Sequence, residues 1–220
     1  MKLTLFDLDH TLLDGDSDQL WCEFLIERGV LPQEPFGSLN RAMAHDYAAG
    51  AVSAQAFCDF YIGTLAGRSA DEWQALRREF LDDSIVPRIP AAALELVVRH
   101  RDAGDLVVLT TATCRFLSEL SAVHLGIAQL IATECELDAD GRFTGRSRGV
   151  LNMREGKVQR LQDWLAGQRL QLSDCESTLY SDSINDLPLL AAVRRAVAVN
   201  PDARLAAVAA ERGWPVIALH

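Results

Sequence analysis

Four short segments of this chain carry side chains able to handle a phosphoryl group. Asp7 and Asp9 follow the apolar run LTLF, Thr110 and Thr111 end LVVLTT, Lys157 sits in REGKV, and Asp182 and Asp186 lie in SDSINDL. Each alone has an ordinary reading: paired acids in a turn, a threonine closing a strand, a solvated lysine, an aspartate capping a helix. Together they supply what phosphoryl transfer needs. Carboxylates are the ligands a hard divalent cation prefers, and a carboxylate can also attack phosphorus once charge is neutralised. A hydroxyl and an ammonium can hold nonbridging oxygens. Of 21 basic residues only Lys2 and Lys157 are lysine. That usage marks Lys157 as a position for a compact ammonium rather than a planar guanidinium.

The elements that must position these groups follow from the hydrophobic pattern. Residues 3–8 read as a buried parallel strand. From Asp14 to Pro87 the pattern is helical: a helix over 17–28 capped by Ser17 or Asp18, a second ending at Gly50, a third opened by Ser53, and a fourth opened by the capping box Ser69–Glu72. Strands then alternate with helices. The strands are 105–111, 130–137, 177–181, 197–200 and 215–219. The helices are 90–103, 113–124, 156–167, 184–193 and 202–212, and ELDADGRFTG reads as a hairpin turning at Asp140-Gly141. Such alternation implies an α/β fold with a parallel sheet flanked by helices. The acids, the threonines and the lysine then fall at strand ends or helix starts, where sites form in open sheets.

These four segments, in this order, resemble the haloacid dehalogenase superfamily. The likeness is to its phosphatases of subfamily IB, the phosphoserine phosphatase-like and histidinol-phosphate phosphatase-like branch. DLDHT (Asp7 to Thr11) matches the first motif, LVVLTT the second, REGKV the third and SDSINDLPLL the fourth, with Ser181 where many relatives have glycine. The resemblance implies a Rossmann-like core formed by residues 1–13 and 88–220, with an all-helical cap, 14–87, inserted after the first strand. It implies Mg²⁺ held by Asp7, Asp182 and the backbone carbonyl of Asp9, Asp7 as nucleophile and Asp9 as general acid/base. Thr111, the neighbouring Ala112 amide and Lys157 are expected to bind phosphate, with Asp186 behind them. An aspartate at position 9 separates a phosphomonoesterase from a dehalogenase, whose leaving group needs no acid.

The branch also bears on the substrate. Asp16 falls where phosphoserine phosphatases place an acid that binds the substrate amine. Where those enzymes carry a cap arginine for the serine carboxylate, GAVSAQAFCDF puts Cys58 or Asp59. An acidic pocket without that clamp suits histidinol phosphate better than phosphoserine, and Trp21 or Phe24 is available to pack an imidazole ring.

Composition narrows the remaining classes. Hydrophobic residues make up 49% of 220, enough for a large core, and the formal net charge of −10 argues against nucleic acid or an anionic membrane as partner. No apolar run reaches the length of a membrane span. Five cysteines without CxxC spacing fit free thiols in the cytoplasm. A phospho-accepting receiver domain uses a similar group set, but it is about half this length and carries no helical insertion.

Overall fold

The computed structural model describes Met1 to His220 apart from the side chain of Ala48. Its centre is a seven-stranded sheet in the order β4-β3-β2-β1-β5-β6-β7. The strands are β1 (Lys2–Phe6), β2 (Leu106–Cys114), β3 (Gln129–Leu137), β4 (Phe143–Arg148), β5 (Glu176–Ser181), β6 (Arg195–Val199) and β7 (Val216–Ile217). All neighbours pair in parallel except β3 and β4, which form an antiparallel hairpin at one edge. β1 is central, so Leu3, Leu5 and Phe6 are fully buried. That is the continuous apolar signature of a strand covered on both faces.

Between β1 and the helix α5 (Ala91–Asp102) the chain is helical, with α1 (Ser17–Glu27), α2 (Gln33–Ala48), α3 (Ala54–Gly63) and α4 (Ala70–Phe80). Ser53 caps α3, and the Ser69–Glu72 capping box opens α4 as its sequence implies. The cap of α1 differs from expectation: it is Asp16, whose side chain accepts the Gln19 N–H, rather than Ser17 or Asp18. Those two are instead buried in the first turn. A wide turn and a 3-10 turn then bring the chain back, and the Asp14 N–H donates to the Arg88 carbonyl at 2.8 Å. The two connectors of the insertion therefore run side by side.

The helical insertion is not a separate body. One buried cluster runs from Phe6 and Leu8 of the sheet through Trp21, Phe57, Trp73 and Phe80 to Phe116 and Phe143. The β3–β4 hairpin, which turns at Asp138–Arg142, completes the contact. The Phe143 N–H donates to the Arg68 carbonyl at 2.9 Å and the Gly67 N–H to the Phe143 carbonyl at 2.8 Å. Gly145, at φ +87°, lies against α3; a Cβ there would come within 3.3 Å of the Gly63 Cα, so the hairpin approaches the helix this closely because position 145 bears no side chain.

The core helices are α6 (Arg115–His124), α7 (Glu155–Gly167), α8 (Leu187–Ala192) and α9 (Ala203–Arg212). Among the described residues no helix is long and apolar enough to cross a membrane. The five cysteines are free thiols.

Candidate active site

β1 and β5 lie in register, with Phe6 opposite Tyr180, so Asp7 and Asp182 emerge at the same sheet edge. The Asp7 N–H still donates to the Tyr180 carbonyl at 3.0 Å, which fixes the backbone directly beneath its carboxylate. Thr11 joins the two ends: its hydroxyl accepts the Asp182 N–H at 3.0 Å and reaches Asp182 Oδ1 at 3.2 Å.

Lys157, in the first turn of α7, is buried and lies between two acids. Its Nζ donates to Asp7 Oδ1 at 2.9 Å and to Asp186 Oδ2 at 2.7 Å. Burial disfavours the ammonium, but Asp186 and Asp7 more than offset this and hold its pKa above the ordinary lysine value. Ser181 donates to the same Asp186 oxygen at 2.8 Å. The serine that replaces a glycine in this motif therefore braces the acid that braces the lysine.

Burial pushes the Asp7 carboxyl up to about 7, against the pull of Lys157. Burial likewise raises Asp182 to about 9, with Asp7 and then Asp186 the strongest charges acting on it. No cation pairs with Asp182 among the described residues. Asp7, buried, and Asp182, half-buried, at one sheet edge, with one cation already shared between Asp7 and Asp186, leave a deficit of positive charge. No three His, Cys, Asp or Glu side chains converge in a metal-holding cluster among the described residues. The side chains of Asp7 and Asp182 are oxygen donors, the kind Mg²⁺ accepts while keeping several waters.

Asp9 is held differently. Its Oδ1 accepts from the Ser17 N–H at 2.7 Å and the Ser17 hydroxyl at 2.6 Å, and its Oδ2 lies 2.8 Å from the Thr113 hydroxyl and 3.4 Å from that of Thr111. Ser17 and Thr113 were not legible as functional in the sequence. β2 runs past its expected end at 111 to Cys114, and its pairing shifts between Thr111 and Cys114. This irregularity turns Ala112 and Thr113 to the cavity. Thr110 faces the other way and accepts from Asn152 Nδ2 at 3.0 Å. Asn152, fully buried, also donates to the Thr111 and Ile131 carbonyls and so ties the ends of β2 and β3 together.

Asp7, Asp9, Thr113, Lys157 and Asp182 line a cavity of about 250 Å³, small enough for a metabolite rather than a polymer. Asp7, Asp182, Asp186, Lys157, Ser183 and Asn185 line one part, and Asp16, Asp18 and Gln19 of the α1 start line another. Burial raises the carboxyl pKa of both Asp16 and Asp18, with further contributions from Asp9 to Asp16 and from Asp16 to Asp18. Thr113 has one hydroxyl proton, and it lies closer to Asp9 than to Asp18 Oδ2 at 3.3 Å. Tyr47 of α2, Phe57 of α3 and Met153 supply apolar wall.

Trp21 corrects the sequence expectation. It is fully buried, donates from Nε1 to the Thr64 hydroxyl at 3.0 Å, and packs against Phe24, Trp73 and Phe80 at 5.8, 5.6 and 5.1 Å between ring centroids. An indole covered on all sides has no face for a ligand, and Phe24 is buried beside it. The aromatic wall comes instead from Tyr47 and Phe57. At the position where relatives carry the cap arginine, Cys58 lies against Met153 and Asp59 accepts from Ser147. Two other arginines of the insertion are engaged elsewhere: Arg68 stacks on Trp73, and Arg41 reaches Ser38. The guanidinium that does line the cavity belongs to Arg154, inside REGKV, which the sequence reading passed over.

Comparison with known proteins identifies the family. Residues 4–191 match the family model of haloacid dehalogenase-like hydrolases. The chain is 40% identical over 218 residues to a histidinol-phosphatase of Neisseria meningitidis, covering 98% of each. It is 38% identical over 221 residues to a phosphoserine phosphatase of Mycobacterium tuberculosis, covering 96% of this chain and 68% of that one. A Bordetella pertussis protein of unknown function superposes with a TM-score of 0.94 at 44% identity, over 100% of this chain and 99% of the other.

Proposed function

Because the chain belongs to the haloacid dehalogenase-like hydrolases, and within them to the phosphatases, we propose that it is a Mg²⁺-dependent phosphomonoesterase of the cytoplasm that prefers histidinol phosphate. On this reading a Asp7 carboxylate oxygen attacks phosphorus, the bond to the leaving oxygen breaks, and Asp9 gives that oxygen a proton. Asp9 then takes a proton from water as the water attacks phosphorus, the bond to Asp7 breaks, and inorganic phosphate leaves. Lys157, with Thr111 and the Ala112 amide, carries charge on the nonbridging oxygens, and Asp186 with Ser181 keeps the ammonium in place. Mg²⁺ bound by Asp7, Asp182 and the Asp9 carbonyl would neutralise charge between two anions.

The observation that carries the substrate preference is the acidic wall at Asp16 and Asp18. Two neighbouring carboxyls, Asp18 buried and Asp16 half-buried, both with pKa raised by burial and neither in a salt bridge among the described residues, favour a positively charged group beside them. Histidinol phosphate offers an amine and an imidazole, and Tyr47 and Phe57 offer the ring a flat wall. The full-length match to a histidinol-phosphatase supports the same choice. Phosphoserine, the alternative, would bring a carboxylate toward this wall. Steady-state assays with both substrates test the reading: kcat/KM is expected to be higher for histidinol phosphate, and a higher value for phosphoserine would overturn it.

A further inference from the structure

Arg154 stands apart from the other charged groups of the cavity. Lys157 is shared by Asp7 and Asp186, whereas Arg154 forms no ion pair among the described residues. It is solvent-exposed, and its guanidinium rests 5.5 Å from the centroid of the Tyr47 ring. Tyr47 belongs to α2 of the helical insertion and Arg154 to the core, so the pair spans the cavity mouth. The Tyr47 hydroxyl is buried without a hydrogen-bond partner.

The backbone that presents Arg154 is unusual. It has φ +50° and ψ −126°, a conformation that costs a non-glycine residue energy and persists only where its surroundings enforce it. They do so here. Asn152 is locked by hydrogen bonds to Thr110, Thr111, Ile131 and Thr133, and the Gly156 and Lys157 N–H groups donate to the Met153 and Arg154 carbonyls. A Cβ on Gly156 would meet the Leu151 carbonyl oxygen at 2.1 Å, so the turn closes only around glycine. A tightly built loop thus holds one unpaired guanidinium three residues before the buried lysine.

Its neighbours indicate which end of a substrate it faces. A second cavity adjoins the first and shares Tyr47, Arg154, Ser183 and Asn185 with it, but not Asp16 or Asp18. Arg154 therefore lies on the Asp182–Asp186 side, away from the acids assigned to the leaving group. We propose that Arg154 is a phosphate-binding residue that grips an outer oxygen of the substrate phosphate, leaving the Tyr47 ring to do so, and so couples phosphate binding to the insertion. The inference rests on the phosphomonoesterase reading and not on the choice of leaving group. A planar fork suits two phosphate oxygens at once, which an ammonium does not.

The test uses the Mg²⁺-loaded enzyme with para-nitrophenyl phosphate, phosphoserine and histidinol phosphate, and inorganic phosphate as competitive inhibitor. Arg154→Gly removes the guanidinium at a φ that glycine adopts freely; Arg154→Lys keeps the charge and loses the fork. Arg154→Gly is expected to lower kcat/KM by about 10- to 100-fold, the worth of a hydrogen-bonded charge, by a similar factor for all three esters. The inhibition constant for inorganic phosphate should rise by a comparable factor, and Arg154→Lys should recover part of both. A loss confined to phosphoserine would make Arg154 a carboxylate clamp and overturn the proposal, as would an unchanged inhibition constant. Should Arg154→Gly not fold, the Arg154→Lys pattern decides by the same two criteria. If histidinol phosphate is not the preferred ester, the ranking of the substrates changes while the common factor remains.

Discussion

Replacing Lys157 by alanine strands two acids that the wild-type fold keeps buried, Asp7 at 7% exposure and Asp186 at 3%. The lysine donates to both, at 2.9 and 2.7 Å. Removing one partner of a buried ion pair costs about 3–5 kcal/mol, because the remaining charge keeps its desolvation penalty without compensation. At roughly 2–4 °C per kcal/mol for a chain of this size, the melting temperature should fall by roughly 6–20 °C. The deficit must depend on pH. Asp7, already raised to about 7 by burial, rises further when the ammonium is gone, so below pH 6 it is neutral in both proteins and strands less charge. Metal-free Lys157→Ala, compared with wild type by urea denaturation at pH 5.5 and 8, should therefore show the larger loss at pH 8. Turnover of para-nitrophenyl phosphate should be nearly abolished, and Lys157→Arg should restore little of it because a planar fork cannot sit between the two acids. Equal stability losses at both pH values, or a loss under about 1 kcal/mol at pH 8, would refute the buried triad as described.

Three other outcomes follow from the same geometry. Asp9→Asn should slow turnover by roughly 10²–10⁴, the usual worth of a positioned acid–base group; an unaltered kcat would assign that role elsewhere. Trp21→Ala should cost about 3–5 kcal/mol of stability with KM unchanged in the surviving folded enzyme, whereas a KM effect with intact stability would return Trp21 to the binding wall. The metal-free protein should lose stability as pH rises from about 4 through 7 and on toward 9. Burial raises the folded-state pKa values of Asp7 and Asp182 above the ordinary aspartate value of 3.8, so the folded protein binds more protons than the unfolded chain in that window. Each group contributes a slope of up to about 1.4 kcal/mol per pH unit while it titrates. Saturating Mg²⁺ should flatten this decline in a thermal-shift series, and an identical slope with and without Mg²⁺ would place the ion elsewhere.

Much of the sheet could be read in advance because buried parallel strands leave unbroken apolar runs, as in LTLF and LVVL, and because Ser69 and Glu72 announce a helix start by local chemistry. The acids and the lysine were legible as well, since they fall at strand ends and helix starts. What escaped depends on tertiary placement. Asp16 caps α1 only because the chain enters at that angle, which buries Ser17 and Asp18. Thr113 faces the cavity because β2 becomes irregular beyond Thr111, and no local pattern marks that shift. Trp21 has the amphipathic chemistry of a binding residue, yet partners from α4 enclose it. Arg154 reads as a surface arginine until its positive φ and the Tyr47 ring across the cavity mouth are seen.

Acid-quenched enzyme, mixed briefly with Mg²⁺ and substrate and digested for mass spectrometry, tests the central claim most directly. The phosphoryl group should appear on the N-terminal peptide at Asp7 and be absent from Asp7→Asn. A phosphoryl group on any other residue, or full turnover by Asp7→Asn, would contradict the assignment.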